Sequence, residues 1–86
     1  MIKEIKFTDK ALKQINYLLS KKKNGVYFRI AVKGGGCSGY KYDFSYDENK
    51  NEDDQENSNI IIDNVSANLL KGSEIDFVSE EIKKLS

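Results

Sequence analysis

From Val26 onward, apolar and polar residues alternate with a period of two. Val26, Phe28, Ile30 and Val32 fall on one side, and Tyr27, Arg29, Ala31 and Lys33 on the other. After a glycine-rich interruption the alternation resumes, with Tyr40, Tyr42, Phe44 and Tyr46 set against Lys41, Asp43 and Ser45. Successive strand side chains point to opposite faces, so these stretches predict two antiparallel strands joined through residues 34–39. Upstream the period is helical. Ala11, Leu12, Ile15, Leu18 and Leu19 form one apolar stripe, with Thr8 as N-cap, Asp9 in the first turn and Asn24-Gly25 as the stop. Ile2 to Phe7 reads as a short edge strand. Downstream, Ile60-Ile61-Ile62 is a β-branched run suited to a buried strand. Asp63 is placed to cap a short second helix, Asn64 to Lys71, with Val65, Leu69 and Leu70 on one side and Gly72 as its C′ residue. Ile75 to Val78 predicts a further strand. Ser79-Glu80-Glu81 begins a terminal turn or helix, with Ile82 and Leu85 as its apolar residues. Adjacent hairpin-like pairs favour a compact, β-rich α+β fold, mixed or mainly antiparallel, over a parallel βαβ sheet.

Length and composition narrow the setting. The chain has 86 residues and is expected to form a single domain spanning 1–86. Its lone cysteine forms no internal disulfide, so the fold rests on its apolar core and suits a reducing compartment. No apolar run approaches the ~20 residues that cross a bilayer, and the N-terminus lacks a signal-peptide core. A soluble protein of the cytoplasm, or of a mitochondrial or plastid matrix, is expected, with no membrane partner. The zero net charge hides an asymmetry. Residues 1–45 carry ten Lys/Arg against three acids, and the remainder four Lys against eleven acids. Lys21-Lys22-Lys23 reads as a solubilised helix end, and a neutral chain without a basic face predicts no nucleic-acid partner. The six acids between Asp47 and Glu56 lack the spacing and the glycine of an EF-hand and read as a solvated, mobile loop.

Chemistry concentrates at Gly34-Gly35-Gly36-Cys37-Ser38-Gly39-Tyr40. Glycines admit backbone conformations closed to other residues and leave N–H groups free to form concave arrays of the kind found at anion and iron–sulfur sites. Cysteine acts through its thiolate, which Lys33 and Lys41, flanking the turn, would favour. There is no histidine, so Cys–His catalysis is excluded, and no second cysteine to resolve a mixed disulfide. A zinc site needs three or four Cys/His ligands from the chain, which are absent. Three readings remain: a sulfur ligand sharing its metal with other molecules, a single-thiol redox-sensing or protein-interaction module, and a structural cysteine in a glycine turn. Tyr40, adjoining the turn, is a secondary candidate; the other tyrosines read as cross-strand packing.

Gly36-Cys37-Ser38-Gly39 between two strands, after a Thr8-Asp9-Lys10-Ala11-Leu12 helix start, resembles the A-type iron–sulfur carrier family (HesB/IscA-like proteins). Ile60-Ile61-Ile62-Asp63 and Leu69-Leu70-Lys71-Gly72-Ser73-Glu74-Ile75-Asp76-Phe77-Val78 continue the likeness in the same order. The resemblance implies a compact β-rich domain, assembled as a homodimer or tetramer. It implies a non-enzymatic carrier that binds iron or a [2Fe–2S] or [4Fe–4S] cluster, receives it from a scaffold and passes it to acceptor apo-proteins. The family's first cysteine ligand falls on Cys37, with Gly36, Ser38 and Gly39 forming the surrounding cluster-binding turn. The family's other two cysteines lie in a C-terminal Cys-Gly-Cys motif that is absent from these 86 residues, either through truncation at the C-terminus or through natural loss of the tail. The remaining ligands are then expected from another subunit, a missing tail, small thiols or a partner.

Overall fold

Two sheets meet around three aromatic rings. The computed structural model describes residues 4–34, 39–78 and 81–85. The chain order is β1 (Lys6–Phe7), α1 (Asp9–Ser20), β2 (Tyr27–Gly34), β3 (Tyr40–Asp47), β4 (Gln55–Asn57), β5 (Ile60–Ile62), α2 (Asn64–Leu70), β6 (Glu74–Val78) and β7 (Glu81–Lys84). One sheet has the order β1-β6-β7 and the other β3-β2-β5-β4. Pairing is mixed: β2–β3, β4–β5 and β6–β7 are antiparallel, β1–β6 and β2–β5 parallel. This is the expected α+β class.

The alternation of β2 turns Phe28 and Ile30 into the core, and Phe77 of β6 reaches across from the other sheet. The Phe28 and Phe44 rings stack with centroids 5.0 Å apart, and Phe77 lies 5.7 Å from Phe28 and 5.1 Å from Phe44. Burying each such side chain stabilises the fold by about 2 kcal/mol, and offset or tilted rings add about 1 kcal/mol per pair. Ala11 and Ile15 of α1 and Leu70 of α2 complete the same core.

The helix α1 starts where the sequence indicates. Thr8 Oγ1 accepts from the Ala11 N–H at 3.0 Å and donates to Asp76 Oδ1 at 2.7 Å, so one hydroxyl caps the helix and pins it to β6. That hydrogen bond from Thr8 holds the Asp76 carboxyl below its usual range. The helix stops at Ser20, short of Asn24-Gly25, and Lys21 and Lys22 instead lie over the rings of Tyr17 and Tyr46.

Three expectations need correction. On α2 the buried residues are Ser66, Ala67 and Leu70, whereas Val65 and Leu69 face solvent. Small Ser66 and Ala67 let the helix lie close to β2, a fit that a stripe drawn from large apolar residues misses. Of the expected terminal turn or helix, Ser79 and Glu80 lie outside the described residues, and Glu81–Lys84 is strand: Ile82 pairs with Phe77 and is buried, and Leu85 is exposed. Here the open edge of β6 overrides the short helical pattern. The acidic segment is not wholly solvated either. Asp54 accepts from Arg29 Nη1 and Nη2 at 2.8 Å each and from the Asn51 N–H at 2.7 Å, while Asp47 accepts from Arg29 Nε at 3.1 Å. This clip folds the segment over the face where Arg29 and the fully buried Ile61 are register partners. Of the expected first strand, Ile2 and Lys3 lie outside the described residues, and Lys6–Phe7 is strand at the edge of its sheet.

Candidate functional site

The β2–β3 ladder runs in unbroken register from Tyr27↔Asp47 to Gly34↔Tyr40 and delivers its two ends to residues 35–39. Cys37, Gly36 and Ser38, the central candidates, lie outside the described residues. Their placement in the chain follows from their neighbours: the cysteine belongs to the short connection between Gly34 and Tyr40.

The described rim explains part of the glycine usage. Gly34 and Gly39 have φ of +83° and +75°, the left-handed region that side chains other than glycine enter only with strain. A Cβ on Gly34 would stand 3.3 Å from the Gly39 carbonyl oxygen, so the two ends of the connection approach closely. Tyr40, opposite Gly34, is half exposed.

One rung inward, Lys33 and Lys41 are direct cross-strand partners. Lys33 Nζ lies 3.7 Å from Asp43 Oδ2. Val32, the next residue, donates its N–H to Ser66 Oγ at 3.0 Å, which anchors the hairpin to α2 just below the connection. Sequence reasoning missed Ser66; its only signal was its position three residues after the helix cap Asp63, whose carboxylate accepts from the Ser66 N–H. Beside the hairpin, an open groove of about 450 Å³ separates β3 from β7, lined by Lys41, Tyr42, Asp43, Phe44, Glu81 and Ile82.

The donor chemistry is narrow. The chain has one cysteine and no histidine, and among the described residues no three Asp, Glu, His or Cys side chains converge as a metal site. A thiolate is a soft ligand suited to iron–sulfur clusters. Such a cluster normally takes about four protein-side ligands, so one copy of this chain supplies only a fraction of them. Among the described residues no helix is long and apolar enough to cross a membrane.

Known proteins supply the family. The family model described as iron-sulphur cluster biosynthesis matches residues 3–84. The iron-sulfur cluster insertion protein ErpA of Buchnera aphidicola is 42% identical over 79 residues, which cover 86% of this chain and 69% of that protein. ErpA 2 of Methylococcus capsulatus is 40% identical over 78 residues, 85% of this chain and 60% of that one. Among solved structures, a protein from Aquifex aeolicus superposes with a TM-score of 0.73 at 28% identity, covering 96% of this chain and 91% of its own. Escherichia coli SufA, described as involved in biosynthesis of iron-sulfur clusters, gives a TM-score of 0.71 at 25% identity, covering 99% and 78%. With nearly the whole chain matched and the α+β architecture shared, the protein belongs to the iron-sulphur cluster biosynthesis family.

Proposed function

We propose that this protein is a carrier in iron–sulfur cluster assembly, with Cys37 as the chain's cluster ligand and Gly36, Ser38 and Gly39 shaping the turn around it. The observation that carries the reading is the β2–β3 ladder, which brings the connection holding the only thiol to the end of a rigid hairpin anchored at Ser66. Membership of the family supports the class of cargo.

Transfer by this route is ligand exchange. The Cys37 thiolate forms a bond to iron as a donor thiolate leaves, and the iron oxidation states are unchanged. The proton lost by Cys37 ends on the departing thiolate or in solvent. These 86 residues supply one thiolate, so the remaining ligands come from the Cys37 of a second copy, a missing C-terminal tail, small thiols such as glutathione, or cysteines of the scaffold and acceptor apo-proteins. A site completed this way releases its cargo readily, as a carrier requires, and calls for no catalytic residue. A cytoplasmic setting, where thiols stay reduced, suits it.

Cluster transfer tests the function. Chain loaded anaerobically with glutathione present is expected to convert an apo-ferredoxin to its holo form faster than the same iron, sulfide and glutathione without the chain. Equal rates would contradict the carrier role.

A further inference from the structure

The link from α1 to β2 carries Asn24 followed by Gly25, and no other asparagine of the chain precedes a glycine. Both residues are exposed. They lie past the end of α1 and ahead of the first rung of the hairpin, Tyr27↔Asp47, so neither helix nor ladder fixes their backbone. Among the described residues, neither the Gly25 N–H nor the Asn24 side chain has a hydrogen-bond partner. Gly25 has φ of +89°, and a Cβ placed there would meet nothing within 4 Å. Glycine also lets other atoms approach its main chain closely, because it carries no side chain of its own. The other asparagines are held more firmly. Asn57 is paired with Ile60 in a ladder, Asn16 and Asn68 lie within helices, and the Asn64 side chain accepts from Gln55 Nε2 at 3.2 Å.

We propose that Asn24 is a site of spontaneous modification in the folded protein, losing its side-chain amide through ring closure with the Gly25 nitrogen and leaving aspartate or isoaspartate. The Gly25 nitrogen attacks Asn24 Cγ. A C–N bond forms as the bond from Cγ to Nδ2 breaks, and the Gly25 proton leaves with that nitrogen as ammonia. Water then opens the cyclic imide at either carbonyl, its hydroxyl ending on the carbon and its other proton on the Gly25 nitrogen. Opening at Cγ gives aspartate. Opening at the main-chain carbonyl carbon gives isoaspartate, whose chain runs through Cβ and is one carbon longer. Nothing is oxidised or reduced, and water is the only reactant added. Either product sets an ionised carboxylate beside Lys23, whose Nζ is 2.6 Å from Glu48 Oε1, and moves the chain's net charge from zero to minus one. The site stands apart from the cargo, at the end of the β2–β3 ladder opposite Gly34↔Tyr40.

The test ages the full chain in neutral buffer and follows it by isoelectric focusing and peptide mass spectrometry. A form more acidic by one charge is expected to accumulate, with its mass change in the peptide that holds Asn24 before any other asparagine. Asn24→Gln, which can close only a larger and slower ring, is expected to abolish that form, and Gly25→Ala to slow it about tenfold. Hydroxylamine, which cuts the chain at the imide, separates reaction in the folded state from reaction after unfolding. Native chain is expected to be cut between Asn24 and Gly25 within about tenfold of the rate in denaturant. A site reached only by unfolding would be cut about a thousandfold more slowly, because the unfolded fraction is on the order of 10⁻³ or less. Native cleavage slowed to that extent overturns the proposal. So does an acidic form that persists in Asn24→Gln or arises first at another asparagine.

Discussion

The Val32 N–H and the Ser66 hydroxyl meet at 3.0 Å, two residues past the last rung that β5 shares with β2. At Ile62 the neighbouring strand ends and the chain turns into α2, which would leave the β2 edge unpaired. Ser66, buried on the inner side of α2, supplies the missing acceptor. Beyond Val32, β2 has backbone pairing on the β3 side only, so Lys33 and Gly34 lead the hairpin away from the sheet. A single hydroxyl thus gives β2 its last support on this side, before its ladder with β3 continues alone to Gly34.

Ser66→Ala should therefore leave the Val32 N–H without its partner and lower stability by about 1–2 kcal/mol. Denaturant unfolding measures the loss, and hydrogen exchange at the Val32 amide should accelerate more than at Phe28. Equal exchange changes along the strand would count against a local anchor.

The Arg29 clip is expected to matter more. The Asp54 side chain is fully enclosed and receives both Arg29 Nη groups, so Asp54→Ala leaves the largely buried guanidinium with Asp47 as its one carboxylate partner among the described residues and should destabilise by about 3 kcal/mol in denaturant unfolding.

The same pair makes stability depend on acid. The hydrogen bonds from Arg29 hold the Asp54 carboxyl below its usual range, outweighing the opposite effect of burial. The unfolded chain thus takes up this proton at higher pH than the folded one. Its contribution is complete above the ordinary carboxylate value of about 4 and is lost as pH falls through the folded value. Asp47, held low mainly by the Asn49 N–H, and Asp76 act in the same direction. Unfolding free energy measured from pH 6 down to about pH 2 should fall less steeply for Asp54→Asn than for wild type. Parallel curves would show that the clip is not coupled to protonation.

Two glycines of similar φ separate strain from crowding. Gly25 at +89° has open space where a Cβ would go, whereas at Gly34, +83°, the Gly39 carbonyl lies 3.3 Å away. Gly25→Ala should cost about 1 kcal/mol, and Gly34→Ala more, by denaturant unfolding. Equal losses would mean that the close approach beside the connection is relieved without cost.

The terminal strand gives a third contrast. Ile82→Ala empties a buried position facing Phe77 and should lose about 2–4 kcal/mol, while Leu85→Ala, at an exposed site, should stay within about 0.5 kcal/mol. Similar effects at the two positions would support the helical reading of this segment instead.

How much of this was legible in the sequence varies with the distance over which each feature is determined. The β2–β3 hairpin was, because both strands carry their own alternation and meet in a register that closes on glycine. The start of α1 was, because Thr8 caps it within one turn. The burial of Asp54 was not: its enclosure depends on Arg29, 25 residues away, and among the acids around it no local pattern distinguishes it. The inward side of α2 was misread for a related reason. What α2 packs against is the β2 edge near Val32, which favours small Ser66 over large Val65, and no helical period records that. The terminal strand exists because β6 offers an open edge, again a partner rather than a propensity. At the candidate site, the thiol and its glycines stood out at once, but the opposition of Lys33 and Lys41 emerged only from the ladder register.

Anaerobic reconstitution with iron, sulfide and glutathione, followed by absorption and by iron and sulfide analysis, tests the central claim most directly when wild type is compared with Cys37→Ser. The chain is expected to hold a coloured cluster that disappears in the variant, with folding unchanged by circular dichroism. An equal amount of cluster on Cys37→Ser would show that the chain's only sulfur ligand is not what holds the cargo.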